Sequence, residues 1–137
     1  MQETLKHAAN NFFKKNDLFP DVIIYLSLHT IRKKVSYIDQ ALNTIIIKDY
    51  DSIISVNEEK DPVFLYDPLS LKLINKSRFD GISKSMEKVF KFNGAFVAVK
   101  FNTLMSRNLF SDNIGHVEIL EDDIMEIKDF SLFKKKA

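Results

Sequence analysis

The sequence predicts an α+β fold, and three observations carry that expectation. The first 43 residues hold two stretches with apolar residues at helical spacing. From residue 44 the pattern turns to β-branched and alternating runs separated by tight turn signals. Helical spacing then returns once, just ahead of the largely apolar run "AFVAVKF". The expected architecture is two N-terminal helices, about 2–16 and 22–43, followed by a mostly antiparallel sheet of five to six strands. One further helix, about 79–91, is inserted, and the helices pack on one face of the sheet.

Each element has its own warrant. "QETLKHAANNFFKKN" places Leu5, Ala8 or Ala9, Phe12 and Phe13 on one side of a helix. Pro20 interrupts it, and Asp21 is placed to cap a successor. In that second helix Ile24, Leu28, Ile31, Val35, Ile38 and Leu42 follow a 4-3-4-3-4 spacing. The same spacing suits a coiled-coil seam. A helix of that length, about 33 Å, is nevertheless able to lie along a whole sheet, so the stripe is assigned to the core. "TIIIKDY" and "SIISVNE" read as extended segments, "VFLY" and "LSLKLIN" as strands bounded by "EEKDP" and "DP".

Phe79, Ile82, Met86 and Val89 or Phe90 define the inserted helix, with Gly94 as its stop. "AFVAVKF" has the look of a central strand covered on both faces, and "TLMSRNLFSDNIG" of a loop with a short helical turn. "HVEIL" is another strand, and a short last strand is expected within "DDIMEIKDFSLF". No repeat or linker divides the chain, so residues 1–137 are expected to form a single domain, with 129–137 a flexible basic tail.

Composition narrows the function classes. There is no cysteine, which removes disulfide frameworks, thiolate metal sites and cysteine nucleophiles, and favours a reducing compartment. The N-terminal segment lacks the apolar core of a signal peptide. The apolar run "VIIYLSLHTI" is well short of the roughly 20 residues that span a bilayer, so no membrane insertion and a cytoplasmic location are expected. Abundant Ile, Lys and Asn suit an AT-rich genome, bacterial, phage or viral.

The net charge of +1 conceals blocks: +3 over residues 1–48, −5 over 49–71, +6 over 72–107, −6 over 108–133 and +3 in the tail. That balance argues against a general polyanion binder and for a local basic patch facing acidic ones.

No catalytic signature is assembled. Gly81, Gly94 and Gly115 are isolated, so no phosphate-binding loop is built and no cofactor is expected. His7, His29 and His116 have no mutual metal-ligand spacing. Asp49 with Asp51, and Glu121 with Asp123, sit two apart and are able to share a side of a strand. Glu126-x-Lys128 with Asp112 is the fragment of a metal-dependent hydrolase or nuclease pattern, but Glu58-x-Lys60 matches the same short pattern.

The basic segments carry more. Lys84, Lys88 and Lys91 are spaced 4 and 3 on the expected third helix, with Phe79, Phe90, Phe92, Phe96 and Phe101 interleaved nearby. Arg32, Lys33 and Lys34 shoulder the apolar stripe of the second. The leading expectation is a small cytoplasmic, non-enzymatic protein that binds another protein, as adaptor, chaperone, inhibitor or assembly component. Arg32, Lys33, Lys34, Lys84, Lys88 and Lys91 are its partner-binding candidates, and the partner includes the case of a second copy, a homodimer. The alternatives are a nucleic-acid-binding protein using the basic face of the third helix, and a small metal-dependent hydrolase or nuclease with no assigned catalytic or metal residues beyond the fragment above.

Overall fold

A computed structural model describes residues 1–28, 30–31, 35–75, 88–106, 108–123 and 125–126. Helix α1 spans Gln2–Asn16 and buries Leu5 and Ala9, four apart on one face. Glu3 in its first turn and Lys14 and Lys15 in its last oppose the helix dipole. Asp17 ends it in the left-handed region (φ 52°), its N–H donating to the Phe13 carbonyl.

The α+β class is the one observed, with a helix leading into a mostly antiparallel sheet. The expected helix over 22–43 is corrected: Val22–Leu26 is a strand, β1. "VIIYL" is β-branched and aromatic, and its burial serves both faces of a sheet rather than the whole circumference of a helix. Thr30–Ile31 forms a short strand, β2. Helix α2 begins at Val35 and runs to Ile47, taking in the "TIII" that resembled a strand. Ala41 and Ile45 are fully buried on its inner face, whereas Ile46 and Ile47 are exposed. The long stripe is therefore not one core seam: Leu28 and Val35 lie open to solvent and Ile38 is half-buried. Lys48 closes the helix onto Thr44, and Asp49 (φ 55°) turns the chain away.

Strand β3 (Ser52–Glu58) follows, then β4 (Phe64–Asp67) and β5 (Ser70–Leu73). Of the expected helix over 79–91, residues 79–87, including Lys84, lie outside the described residues. Its end is corrected, because Phe90 opens β6, an eleven-residue strand to Lys100. Gly94 is not a helix stop. It sits inside β6 at φ 73°, where the pairing with β3 shifts register between Ile54 and Val56. Helix α3 (Phe101–Ser106), β7 (Ile114–Glu118), a 3₁₀ turn (Glu121–Asp123) and β8 (Met125–Glu126) complete the order.

Four strands form the main sheet in the order β1-β6-β3-β7. The first two pairings are antiparallel and β3–β7 is parallel. Two ribbons, β2–β8 and β4–β5, stand apart from it. Ala95 to Val99 of β6 are all buried, as expected of a strand covered on both sides. The helices do not share one face. Under α2 lie Ile53, Ala98 and Val117 with Ala41 and Ile45; on the opposite face Val97 and Val99 meet Leu5 of α1 and Leu104 of α3. The alternation of β6, Val97 and Val99 one way and Ala98 the other, divides the core into these two layers.

Candidate functional site

The end of the sheet where β3 finishes and β6 begins is built from part-buried amides and a buried hydroxyl. Asn93 Nδ2 donates to Asn57 Oδ1 at 3.0 Å, and Asn57 donates in turn to the Ile119 carbonyl. Ser55 Oγ lies 2.6 Å from Asn93 Oδ1 and 3.1 Å from the Phe96 carbonyl, its single proton serving one at a time. It accepts from the Phe96 N–H at 3.0 Å, while Asn93 Oδ1 accepts from the Ala95 N–H at 3.0 Å. The bulge in β3–β6 removes regular ladder partners, and these side chains replace them.

Above this floor opens a cleft of about 510 Å³ lined by Asn57–Asp61, Lys91–Asn93 and Glu121. A recess of about 260 Å³ beside it shares Asn57, Glu58, Lys60 and Glu121 and adds Glu118–Asp122. Together the walls present six carboxylates against two lysines, Lys60 and Lys91. Lys60 Nζ pairs with Glu121 Oε1 at 3.4 Å. The floor amides help to hold the strands together, so the cleft reads as an acidic surface on a structural base. Among the described residues, no cluster of three or more His, Asp or Glu is arranged to hold a metal ion.

The hydrolase fragment falls only partly within the described residues. Asp112 precedes β7 and is exposed, Glu126 lies beyond the turn that follows β7 and pairs with Thr30, and Lys128 lies outside the described residues. Asp49 and Asp51 do not share a site. Asp49 pairs with Lys100, which holds its carboxyl below the usual carboxylate range by hydrogen bond and charge, whereas Asp51 accepts from Ser111 Oγ–H at 3.0 Å. Tyr37 Oη–H donates to Asp123 at 2.6 Å, tying the start of α2 to the 3₁₀ turn. His7 contacts Asn11 on α1, and the His116 ring packs tilted against Phe90 at 4.7 Å; His29 lies outside the described residues.

Of the six basic candidates, Arg32, Lys33, Lys34 and Lys84 lie outside the described residues. Lys88 is exposed just before β6, and Lys91 is exposed within it, opposite Asn57. The spacing of 4 and 3 therefore does not set Lys88 and Lys91 on one helix face.

The most distinctive surface is one that sequence patterning read only as two strands and a turn. In the β4–β5 hairpin, Phe64 opposes Leu73 and Tyr66 opposes Leu71, so these four share one face; Leu65 and Lys72 occupy the other. No further strand pairs with this ribbon among the described residues, and its side chains remain in solvent: Tyr66 is 76% exposed, Leu71 63% and Leu69, at the turn, 95%. The base is rigid. Asn75, 1% exposed, donates to the Asp61 carbonyl at 2.8 Å and accepts from the Val63 N–H at 3.0 Å, beside the acidic cleft. Alternation in "LSLKLIN" marks one apolar face, but it does not say whether the surface covering that face belongs to the same molecule.

No protein-family model and no curated protein matches this chain.

Proposed function

We propose that this protein acts by binding another protein through the β4–β5 hairpin. The observation that carries the reading is the Phe64–Tyr66–Leu71–Leu73 face, which is anchored at its base and left largely in water. A two-stranded ribbon is marginal on its own, and an exposed apolar face of this kind gains most when a partner covers it. The acidic cleft at the hairpin base suits a partner whose apolar contact is rimmed by Lys or Arg. Lys88 and Lys91, with Arg32, Lys33, Lys34 and Lys84, form the complementary basic candidates for an acidic part of the same partner. An adaptor, chaperone, inhibitor or assembly role in the cytoplasm fits this surface and the absence of cysteine.

Placing a photo-crosslinking residue at Leu69 tests the proposal. It should trap a discrete protein that the same group at Asn10, on the exposed side of α1, does not. Equal yields from both positions would refute it.

A second reading draws on a separate observation. Phe92 and Phe110 meet edge to face at 6.0 Å, and Phe92 lines the cleft with Lys91, an arrangement able to stack on single-stranded nucleic acid. The neighbouring carboxylates oppose a polyanion, so this reading ranks second. It requires binding that weakens steeply with salt; affinity indifferent to salt removes it.

A further inference from the structure

Asn93 is followed by Gly94, and no other asparagine of the chain precedes a glycine. That pair is chemically labile. The Gly94 backbone nitrogen, unhindered by a side chain, is able to attack the Asn93 side-chain carbon Cγ. A new C–N bond closes a succinimide ring, and the Nδ2 amide group leaves as ammonia, carrying off the proton of the Gly94 nitrogen. Water then opens the ring at either carbonyl. One opening gives aspartate, the other isoaspartate, in which the side-chain methylene has moved into the main chain.

The fold places this pair half-buried inside β6, at the bulge where pairing with β3 shifts between Ile54 and Val56. Gly94 takes the left-handed φ of 73° there. Both polar atoms of the Asn93 carboxamide are engaged. Oδ1 accepts from the Ala95 N–H at 3.0 Å and lies 2.6 Å from the hydroxyl of buried Ser55. Nδ2 donates to Asn57 Oδ1 at 3.0 Å. Ring closure requires the carboxamide to swing its Cγ onto the Gly94 nitrogen, and then requires Nδ2 to depart. Both movements break the bonds that stand in for the missing ladder.

We propose that Asn93–Gly94 is a site of spontaneous deamidation held in check by this network, so that local opening of the sheet end exposes it to modification. The proposal goes beyond the hairpin reading and does not depend on it. The change is one-way in structure as well as in chemistry. A carboxylate only accepts, so the product sets an acceptor against Asn57 Oδ1 where Nδ2 had donated. Turning the Asn57 amide round relieves that contact only by taking its donor from the Ile119 carbonyl. Isoaspartate lengthens the main chain within the bulge and moves the carboxylate away from Ala95 and Ser55. Either product adds negative charge to a cleft whose walls already hold Glu58, Glu59, Asp61 and Glu121. An opening event is thereby recorded as a lasting covalent change.

The test is incubation of the full chain at mildly alkaline pH, with amide-to-acid conversion at Asn93 followed by peptide mass spectrometry. The folded chain should convert roughly tenfold or more slowly than the same chain unfolded in urea. In urea, Gly94→Ala should slow conversion, because the added Cβ hinders the attacking nitrogen. Asn57→Ala and Ser55→Ala, each shown to be folded by circular dichroism, should speed conversion in the folded state. Gly115→Ala, which strains the packing on Tyr50 and Ile53 without touching the network, should leave the folded rate nearly unchanged. Asn93→Asp, which reproduces one product, should melt below the unaltered chain. Equal rates in the folded and unfolded chain, or no conversion at Asn93 even in urea, overturn the proposal. So does Gly115→Ala speeding conversion as much as Asn57→Ala, or Asn93→Asp melting with the unaltered chain.

Discussion

Asn93 donates through its side chain to Asn57 across the β3–β6 pair at 3.0 Å, within a bulge that gives up regular backbone pairing. Asn93 also accepts from its neighbour's backbone at Ala95, so one residue satisfies both strands. Asn93→Ala strands Asn57 and the Ala95 N–H in a part-buried site. A loss of about 1–3 kcal/mol is expected, read as a lower urea midpoint with an unchanged slope. A neutral outcome would mean that water replaces the network and the bulge holds without it.

Gly115 faces α2's layer with no room for a side chain. A Cβ there meets Ile53 Cδ1 at 2.4 Å and the Tyr50 ring at 2.5 Å. Gly115→Ala therefore forces the Tyr50 ring or the β3–β7 pairing to shift, at about 1–3 kcal/mol. Adding Tyr50→Leu to Gly115→Ala should recover part of that loss in thermal melts, because it removes the obstructing ring atoms.

The Asp49–Lys100 pair gives a pH dependence of known sign. Its folded-state carboxyl titrates below the ordinary value of 3.8, so its contribution is complete above that value. It fades as pH falls through the lower folded value. Asp49→Asn, which keeps a residue tolerant of the left-handed backbone at φ 55°, should lower the melting temperature slightly at neutral pH and not at all in strong acid. The pair is exposed, so added salt should shrink the neutral-pH difference. A gap that grows on acidification would contradict the assignment.

Variants of the hairpin face test the proposed binding separately from folding. Tyr66→Asp and Leu71→Asp together replace exposed side chains, so the thermal stability should change by no more than about 0.5 kcal/mol. A large destabilisation would show that the face packs against the protein itself and is not free for a partner.

Local chemistry made part of this fold legible. The helical face of Leu5 and Ala9, the β-branched "SIISVNE", the "DP" turn and the buried run of β6 all agree with their final state. Residues 22–47 misled because apolar positions at 4 and 3 spacing are also met by a strand, a short ribbon and a helix laid end to end. Periodicity does not register where a chain turns. "TIII" has strand propensity, yet Ile45 completes the inner face of α2 with Ala41, and tertiary burial prevailed.

The acidic cleft was partly visible, since Glu58, Lys60 and Glu121 stood out as separate motifs. Their meeting was not, because it depends on β3, β6 and the turn after β7 ending at one place. The exposed hairpin was hidden most thoroughly: a face open to solvent and a face covered at home have the same alternation.

The most direct test of the protein-binding reading is a quantitative pull-down on nuclease-treated lysate, comparing the unaltered chain with the Tyr66→Asp, Leu71→Asp variant. The account predicts one protein recovered at comparable stoichiometry with the unaltered chain and lost at least tenfold with the folded variant. The same protein recovered equally by both, or a catch that disappears on nuclease treatment alone, would contradict it.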